Sequence, residues 1–146
     1  MRGINLKYLI TLIVIMSTYI TGCSNLIGNE EQNIKVQKHI VDVNNYEDFK
    51  VITSNKKVQK VREIIDNIDW EHAKVDMVHP ADYRFIFQFK NPEINGKAVL
   101  YELWISPIND KVELVITAES KYVQLDKNNS TELYEILIGG KLSDLK

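Results

Sequence analysis

The side chains best suited to acid–base or metal chemistry lie in the middle of the chain, between residues 69 and 82. Imidazole and carboxylate groups can hold a metal ion or exchange protons with a substrate when they converge within bonding distance. The two histidines of this stretch lack the tight spacing of known metal-binding motifs, and Pro80 indicates a turn. We therefore predict a solvated loop with no metal and no cofactor, and an enzyme is the alternative. The residues that such an enzyme would use are His72, Asp76, His79 and Asp82.

A second reactive group is Cys23, the only cysteine of the chain, in the stretch "YITGCSN". Upstream of it, Arg2 and Lys7 precede an apolar run from Tyr8 to Ile20. A membrane-spanning helix needs about 20 apolar residues, so this run is too short to be a permanent anchor. A basic start followed by a short apolar run is typical of an export signal. Without a second cysteine the chain can form no internal disulfide, so its stability must come from an ordinary core.

The residues Ile20-Thr21-Gly22-Cys23 resemble the bacterial lipobox. The resemblance implies that a diacylglyceryl group is attached to the Cys23 thiol, that the chain is cut just before it, and that the new N-terminus is acylated, for instance with palmitate. Because each buried lipid CH₂ contributes roughly 0.8 kcal/mol, two or three acyl chains would hold the protein on the extracytoplasmic face of the cell membrane. We predict a signal peptide over residues 1–22, a lipidated cysteine and flexible tether over 23–33, and a single domain over 34–146.

The charge of the chain limits its partners. The formal net charge of the whole sequence is −2 at pH 7, and removing the signal peptide takes away Arg2 and Lys7, which makes the remaining chain more acidic. A nucleic-acid partner and electrostatic docking on anionic lipid both require positive charge, so this balance argues against them. The expected partners are the membrane, through the lipid, and another envelope protein or ligand.

Two helices are predicted from apolar residues at helical spacing. The first starts at residue 54 or 55, and its apolar stripe consists of Val58, Val61, Ile64, Ile65 and Ile68. The second starts at residue 129 or 130, with Asn129 and Glu132 as a capping pair, and ends at Gly139-Gly140. Its apolar stripe consists of Leu133, Ile136 and Leu137.

Most of the remaining sequence alternates as strands do. "YRFIFQF" turns Tyr83, Phe85, Phe87 and Phe89 to one side, and "VLYELWI" and "VELVITA" each have one apolar parity. A type I turn with Gly96 as a left-handed bulge residue would set Phe89 opposite Tyr101, and a turn centred on residues 108–109 or 109–110 would pair the next two strands. The predicted fold class is α+β: an antiparallel meander sheet of about four to five strands with two helices packed on its aromatic face.

Four stretches of the chain carry a resemblance to a known family: "VQKVREIIDNIDWE", "ADYRFIFQF", "YELWIS" and "ELYEIL". On these stretches the segment from about Lys50 to Ile138 resembles the YhfM-like domain, a family of uncharacterised lipoproteins of Bacillus-type bacteria. The resemblance implies a location in the envelope and a fold. It implies no chemistry, because the family has no established activity.

The sheet face opposite the helices is the best candidate for a binding surface. With these registers it carries an apolar patch with a tryptophan at its centre and a charged rim, which is typical of interfaces. Its residues are Ile86, Leu100, Glu102, Trp104, Val115 and Tyr122. The alternative is that residues 34–52 cross this face and cover it. We expect a non-enzymatic binding module at the cell envelope, and the alternatives are an enzyme using residues 72–82 and a structural subunit of a membrane complex.

Overall fold

The computed structural model describes residues 31–145, so the predicted signal peptide, Cys23 and most of the predicted tether lie outside the described residues. The described chain forms an antiparallel sheet of seven strands with two helices. The strands are β1 (Gln32–Ile40), β2 (Asn45–Ile52), β3 (Glu71–His72), β4 (Tyr83–Phe89), β5 (Tyr101–Ile105), β6 (Val112–Ile116) and β7 (Lys121–Gln124). The helices are α1 (Asn55–Asp66) and α2 (Lys127–Leu137).

The order of the strands across the sheet is β2-β1-β4-β5-β6-β7-β3. The four strands from β4 to β7 form the predicted meander, and every pairing in the sheet is antiparallel. The α+β class and the antiparallel sheet are confirmed, but four to five strands was too few. The sheet is larger because residues 32–52 form a hairpin that extends it beyond β4, with Ile34 opposite Phe87 and Val36 opposite Phe85.

Both helices pack on the same face of the sheet, called the helix face below. Helix α1 begins after Ser54, as predicted, and its buried side chains are Val58, Val61, Ile64 and Ile65. Helix α2 begins earlier than expected, because its cap is Asp126, whose carboxylate accepts a hydrogen bond from Asn129 N at 2.9 Å. The predicted capping pair of Asn129 and Glu132 was therefore wrong. Gly139 follows α2 with φ of 97°, a conformation that favours glycine.

The core lies between the helices and the helix face of the sheet. Phe85 and Tyr101 stack at its centre with ring centroids 4.9 Å apart. Leu103 pairs with Tyr83 on one side and with Leu114 on the other, and both leucines are fully buried. The alternation of "YRFIFQF" and of the two later strands thus turns one apolar side of each strand to the helices, as predicted.

The first hairpin differs from its prediction in the position of β5 along β4. Tyr101 lies opposite Phe85 and not opposite Phe89, so residues 90–100 form a long connection between β4 and β5. Within the described residues Gly139 is the only glycine with positive φ, so the left-handed bulge at Gly96 was wrong. A Cβ at Gly96 would overlap the ring of Phe89, so a larger residue at this position would require the ring to move.

In the second hairpin, the residues of β5 and β6 pair as predicted. Leu103 pairs with Leu114 and Ile105 with Val112, which centres the turn on Ile108-Asn109. Asn109 has φ of 54°, and its N–H donates to the carbonyl oxygen of Ser106 at 2.9 Å. Asparagine tolerates this left-handed conformation better than most residues.

Neither helix in residues 31–145 is both long and apolar enough to cross a membrane.

A buried tyrosine gives the fold a predicted sensitivity to alkali. Burial, and then the neighbouring Tyr134, raises the pKa of Tyr83 from 10.0 to about 12. The folded protein therefore favours the neutral phenol of Tyr83 more strongly than the unfolded chain does. The stability that depends on this neutral phenol is complete below pH 10 and is lost as the pH rises towards 12. We expect the free energy of unfolding to fall over this window, and to fall less steeply in Tyr83→Phe. Denaturant titrations at a series of pH values measure it, and equal slopes for the two proteins would contradict the assignment.

Candidate functional site

The outer face of the sheet, opposite the helices, is the candidate site. One row of directly opposed residues crosses it from β4 to β7: Arg84, Glu102, Val115 and Tyr122. Trp104 belongs to the neighbouring row, opposite Glu113. The strand registers therefore place the predicted face residues on one side of the sheet. Some of these residues are covered by another segment, and others are exposed.

One part of the outer face is covered by residues 73–82, a segment that we call the strap. Trp104 donates a hydrogen bond from Nε1 to the carbonyl oxygen of His79 at 2.8 Å. Ala81 of the strap, Trp104 and Val115 form a small buried cluster, and Val75, Met77, Tyr46 and Tyr122 pack against it. The hydroxyl of Tyr46 fixes the far end of the strap by donating to the carbonyl oxygen of Ala81 at 2.9 Å.

The strap corrects the expectation that Trp104 is the exposed centre of a binding surface. Trp104 is only 6% exposed, and Val115 is equally buried. The predicted cover, residues 34–52, forms strands β1 and β2 beside β4 and contributes only Tyr46 to this cluster. Burying a large aromatic side chain such as Trp104 contributes several kcal/mol. This burial holds the strap, with Val75 and Met77 at alternate positions, on the outer face. That alternation was the one sign of the strap in the sequence.

The other part of the outer face is not covered by any segment of residues 31–145. Ile86 and Leu100 form the apolar floor of a groove of about 260 Å³, and Leu100 is 40% exposed. The polar residues that line this open groove are Lys35, Gln37, Arg84 and Gln88. Sequence reasoning missed Lys35 and Gln37 because residues 34–52 were considered only as a cover of this face. Their alternation with Ile34 and Val36 would have placed them on the outer face.

Hydrogen bonds and ion pairs hold one wall of the open groove in place. Asp48 accepts from Lys35 Nζ and from Gln37 Nε2, both at 2.8 Å. The hydrogen bond from Lys35, together with that from Gln37, holds the pKa of the Asp48 carboxyl below its usual value. Arg84 Nε donates to Gln37 Oε1 at 2.8 Å, and its guanidinium lies 4.0 Å from the ring centroid of Tyr46. Lys35, Gln37 and Arg84 are therefore joined in one hydrogen-bonded network beside the apolar floor.

The candidate metal or acid–base residues do not converge. Among residues 31–145, no group of three or more His, Cys, Asp or Glu side chains could hold a metal ion. His72 lies on β3 opposite Lys121, and Asp82 Oδ2 accepts the N–H of Ile105 at 2.8 Å. Asp76 and His79 lie on the strap and line a shallow cavity of about 350 Å³ beside Trp104. Asp82 and His79 thus have structural contacts that the sequence did not indicate.

Comparisons with known proteins give a likeness of fold. No family model matches the chain, and no curated protein matches it. A crystal structure described as a thioesterase-like protein from Clostridium sporogenes ATCC 15579 aligns with a TM-score of 0.53 and 19% sequence identity. The alignment covers 74% of this chain and 94% of that one. At this level of identity the chain shares the fold of the thioesterase-like protein.

Proposed function

We propose that this chain is a bacterial lipoprotein, held on the extracytoplasmic face of the cell membrane by acyl chains on Cys23. We further propose that its domain is a non-enzymatic module that binds a segment of another envelope protein in the open groove. The resemblance to the YhfM-like family is part of the same proposal. The observation that carries the binding role is an apolar floor, formed by the half-buried Ile86 and the exposed Leu100, beside a wall of hydrogen-bonded polar groups.

The dimensions of the open groove favour a polypeptide over a small molecule. Enclosed ligand sites usually have volumes of about 300–1,000 Å³ and bury most of the ligand. The open groove holds about 260 Å³ and lies on the surface of a sheet. Such a site suits one or two apolar side chains of a partner, flanked by groups that can hydrogen-bond with Gln37, Arg84 and Gln88.

Two features support the lipid anchor. The lipobox-like tetrapeptide follows a basic start and an apolar run that is too short to span a bilayer. The folded domain begins with β1 at Gln32, so Gln32 and Asn33, which were predicted as tether, belong to the domain, and only residues 24–31 separate Cys23 from β1. The acyl chains would therefore lie close in sequence to a folded domain, as expected for a surface lipoprotein.

Thioester hydrolysis is not part of the proposal. That reaction needs a base or a nucleophile beside the bound substrate. At 19% sequence identity, the likeness to the thioesterase-like protein is a likeness of fold and carries no reaction over to this chain.

Replacing Leu100 by aspartate is the direct test of the groove. A carboxylate on the apolar floor would have to lose its water against the partner, so we expect Leu100→Asp to weaken binding by roughly tenfold or more. The side chain is 40% exposed, so the fold should survive. The measurement is recovery of the partner from native membranes with tagged wild-type and variant protein.

The matched control is Ile108→Asp, which adds the same charge at a 77% exposed isoleucine in the turn between β5 and β6. Partner recovery should be unchanged in this control. Equal recovery with wild type, Leu100→Asp and Ile108→Asp would exclude the open groove as the binding site.

A further inference from the structure

Within residues 31–145, strand β2 is a long edge of the sheet. It has eight residues and, among the described strands, pairs only with β1, whereas the strand at the opposite edge, β3, has two residues. An edge strand presents unpaired N–H and C=O groups along its outer side and can accept a further strand. Proteins use such edges to bind extended segments of partners or of their own copies.

Apolar side chains are exposed along the same edge. Phe49 is 42% exposed and Val51 is 54% exposed. The ring of Phe49 packs edge-on against Tyr83, with centroids 5.6 Å apart, so it is held at the sheet margin. Free backbone groups beside exposed apolar side chains favour an added strand over water at this edge.

A bulge in β2 determines the faces that a partner strand would meet. The register with β1 shifts between Val36 and Gln37, which leaves Phe49 as the extra residue. Phe49 reaches Tyr83 and Lys50 reaches Ile136 O of α2, at 3.5 Å, so both lie on the helix face. Asp48 bonds to Lys35 and Gln37 on the outer face.

We propose that β2 is the interface of a two-fold dimer, in which β2 of a second copy of this chain pairs with it antiparallel. With a two-fold axis between Phe49 and Lys50, Phe49 of each copy lies opposite Lys50 of the other copy on the helix face. Asp48 of each copy then lies opposite Val51 of the other copy on the outer face. The same axis brings Lys50 of each copy diagonally beside Glu47 of the other, within the reach of cross-strand pairs. This charge complementarity selects a second copy as the occupant, and the dimer joins two sheets into one.

A single-cysteine crosslink tests the dimer in the full chain in its native membrane. Phe49→Cys lies next to the proposed axis, where the two Cα atoms would be within disulfide range. Val51→Cys is on the same strand and more exposed, but it would lie opposite residue 48 of the other copy and roughly 10 Å from its own counterpart, which is too far to bridge. Wild type measures any background from Cys23. A disulfide-linked dimer for Phe49→Cys alone is the expected result.

Three outcomes of this crosslink overturn the proposal. They are no dimer for Phe49→Cys, equal dimer yields for Phe49→Cys and Val51→Cys, and a conjugate whose mass shows a different protein on the strand.

A charge exchange provides a second readout that does not depend on a new cysteine. Lys50→Glu should weaken dimerisation about tenfold, because two cross-strand attractions become repulsions. The double variant Glu47→Lys, Lys50→Glu restores the opposite charges and should recover the dimer. Sedimentation equilibrium of the full chain in detergent measures both. Failure of the double variant to recover the dimer would contradict the pairing of Lys50 with Glu47 and, with it, the choice of a second copy as the occupant.

Discussion

Trp104→Ala is expected to destabilise the domain by roughly 3–5 kcal/mol, which is a large part of the stability of an ordinary single domain. The substitution removes the side chain that the strap covers and leaves a cavity between the strap and β5. It also removes the donor that satisfies the carbonyl oxygen of His79. Ala81 and Val115, which are buried with Trp104, would lose their largest neighbour. Chemical denaturation followed by circular dichroism measures the change.

Trp104→Phe separates packing from hydrogen bonding. It keeps most of the apolar volume and loses only the Nε1 donor, so the expected cost of the bond itself is about 1 kcal/mol. If Trp104→Ala lowered the free energy of unfolding by less than 1 kcal/mol, the strap would not be packed on the sheet. Trp104 would then again be a candidate for direct contact with a partner.

Cys23→Ser is expected to abolish lipidation completely. Under the proposed lipoprotein processing, the thiol is the only attachment point, and cleavage follows its modification. The variant should therefore keep residues 1–22 and carry no acyl chain, whereas the wild type should lack these residues and carry the lipid. Intact-mass measurement of protein extracted from bacterial membranes distinguishes the two forms directly.

Ser24→Ala is the matched control for Cys23→Ser, since it alters the neighbouring residue and leaves the thiol. It should be processed like the wild type. A wild-type mass that includes residues 1–22, or an acyl chain on the Cys23→Ser protein, would contradict the lipid anchor and leave the groove proposal standing on its own.

Alternation along the strands predicted which side chains share a face, because the period of two in a strand is fixed by the backbone. Phe85, Leu103 and Leu114 all reach the helix face, as the sequence indicated. The position of one strand along the next was harder to predict. A register shifted by an even number of residues leaves every side chain on its own face. The pattern alone therefore did not decide between Phe85 and Phe89 as the partner of Tyr101.

The strap shows a different limit of sequence reasoning. Residues 73–82 contain no helix or strand, and the alternation of Val75 and Met77 is too short to predict where the segment runs. Their position depends on tertiary contacts: the bond from Trp104 to His79, the bond from Tyr46 to Ala81, and the bond from Ile105 to Asp82. For this reason the sequence predicted the outer-face residues correctly as a group but did not show that Trp104 is covered and Leu100 is open.

The edge strand β2 combines both limits. Its alternation is interrupted at Phe49, so the sequence pattern does not show one continuous strand, whereas the strand runs from Asn45 to Ile52. The bulge explains the interruption, because the extra residue reverses which side chains point outward.

The most direct test of the proposed function is photo-crosslinking in living cells from a benzophenone amino acid at position 100, with position 108 as the exposed control. The account predicts one defined adduct with another envelope protein from position 100 and none from position 108. Without any adduct from position 100, or with the same adducts from both positions, the open groove would not be the binding surface of this protein.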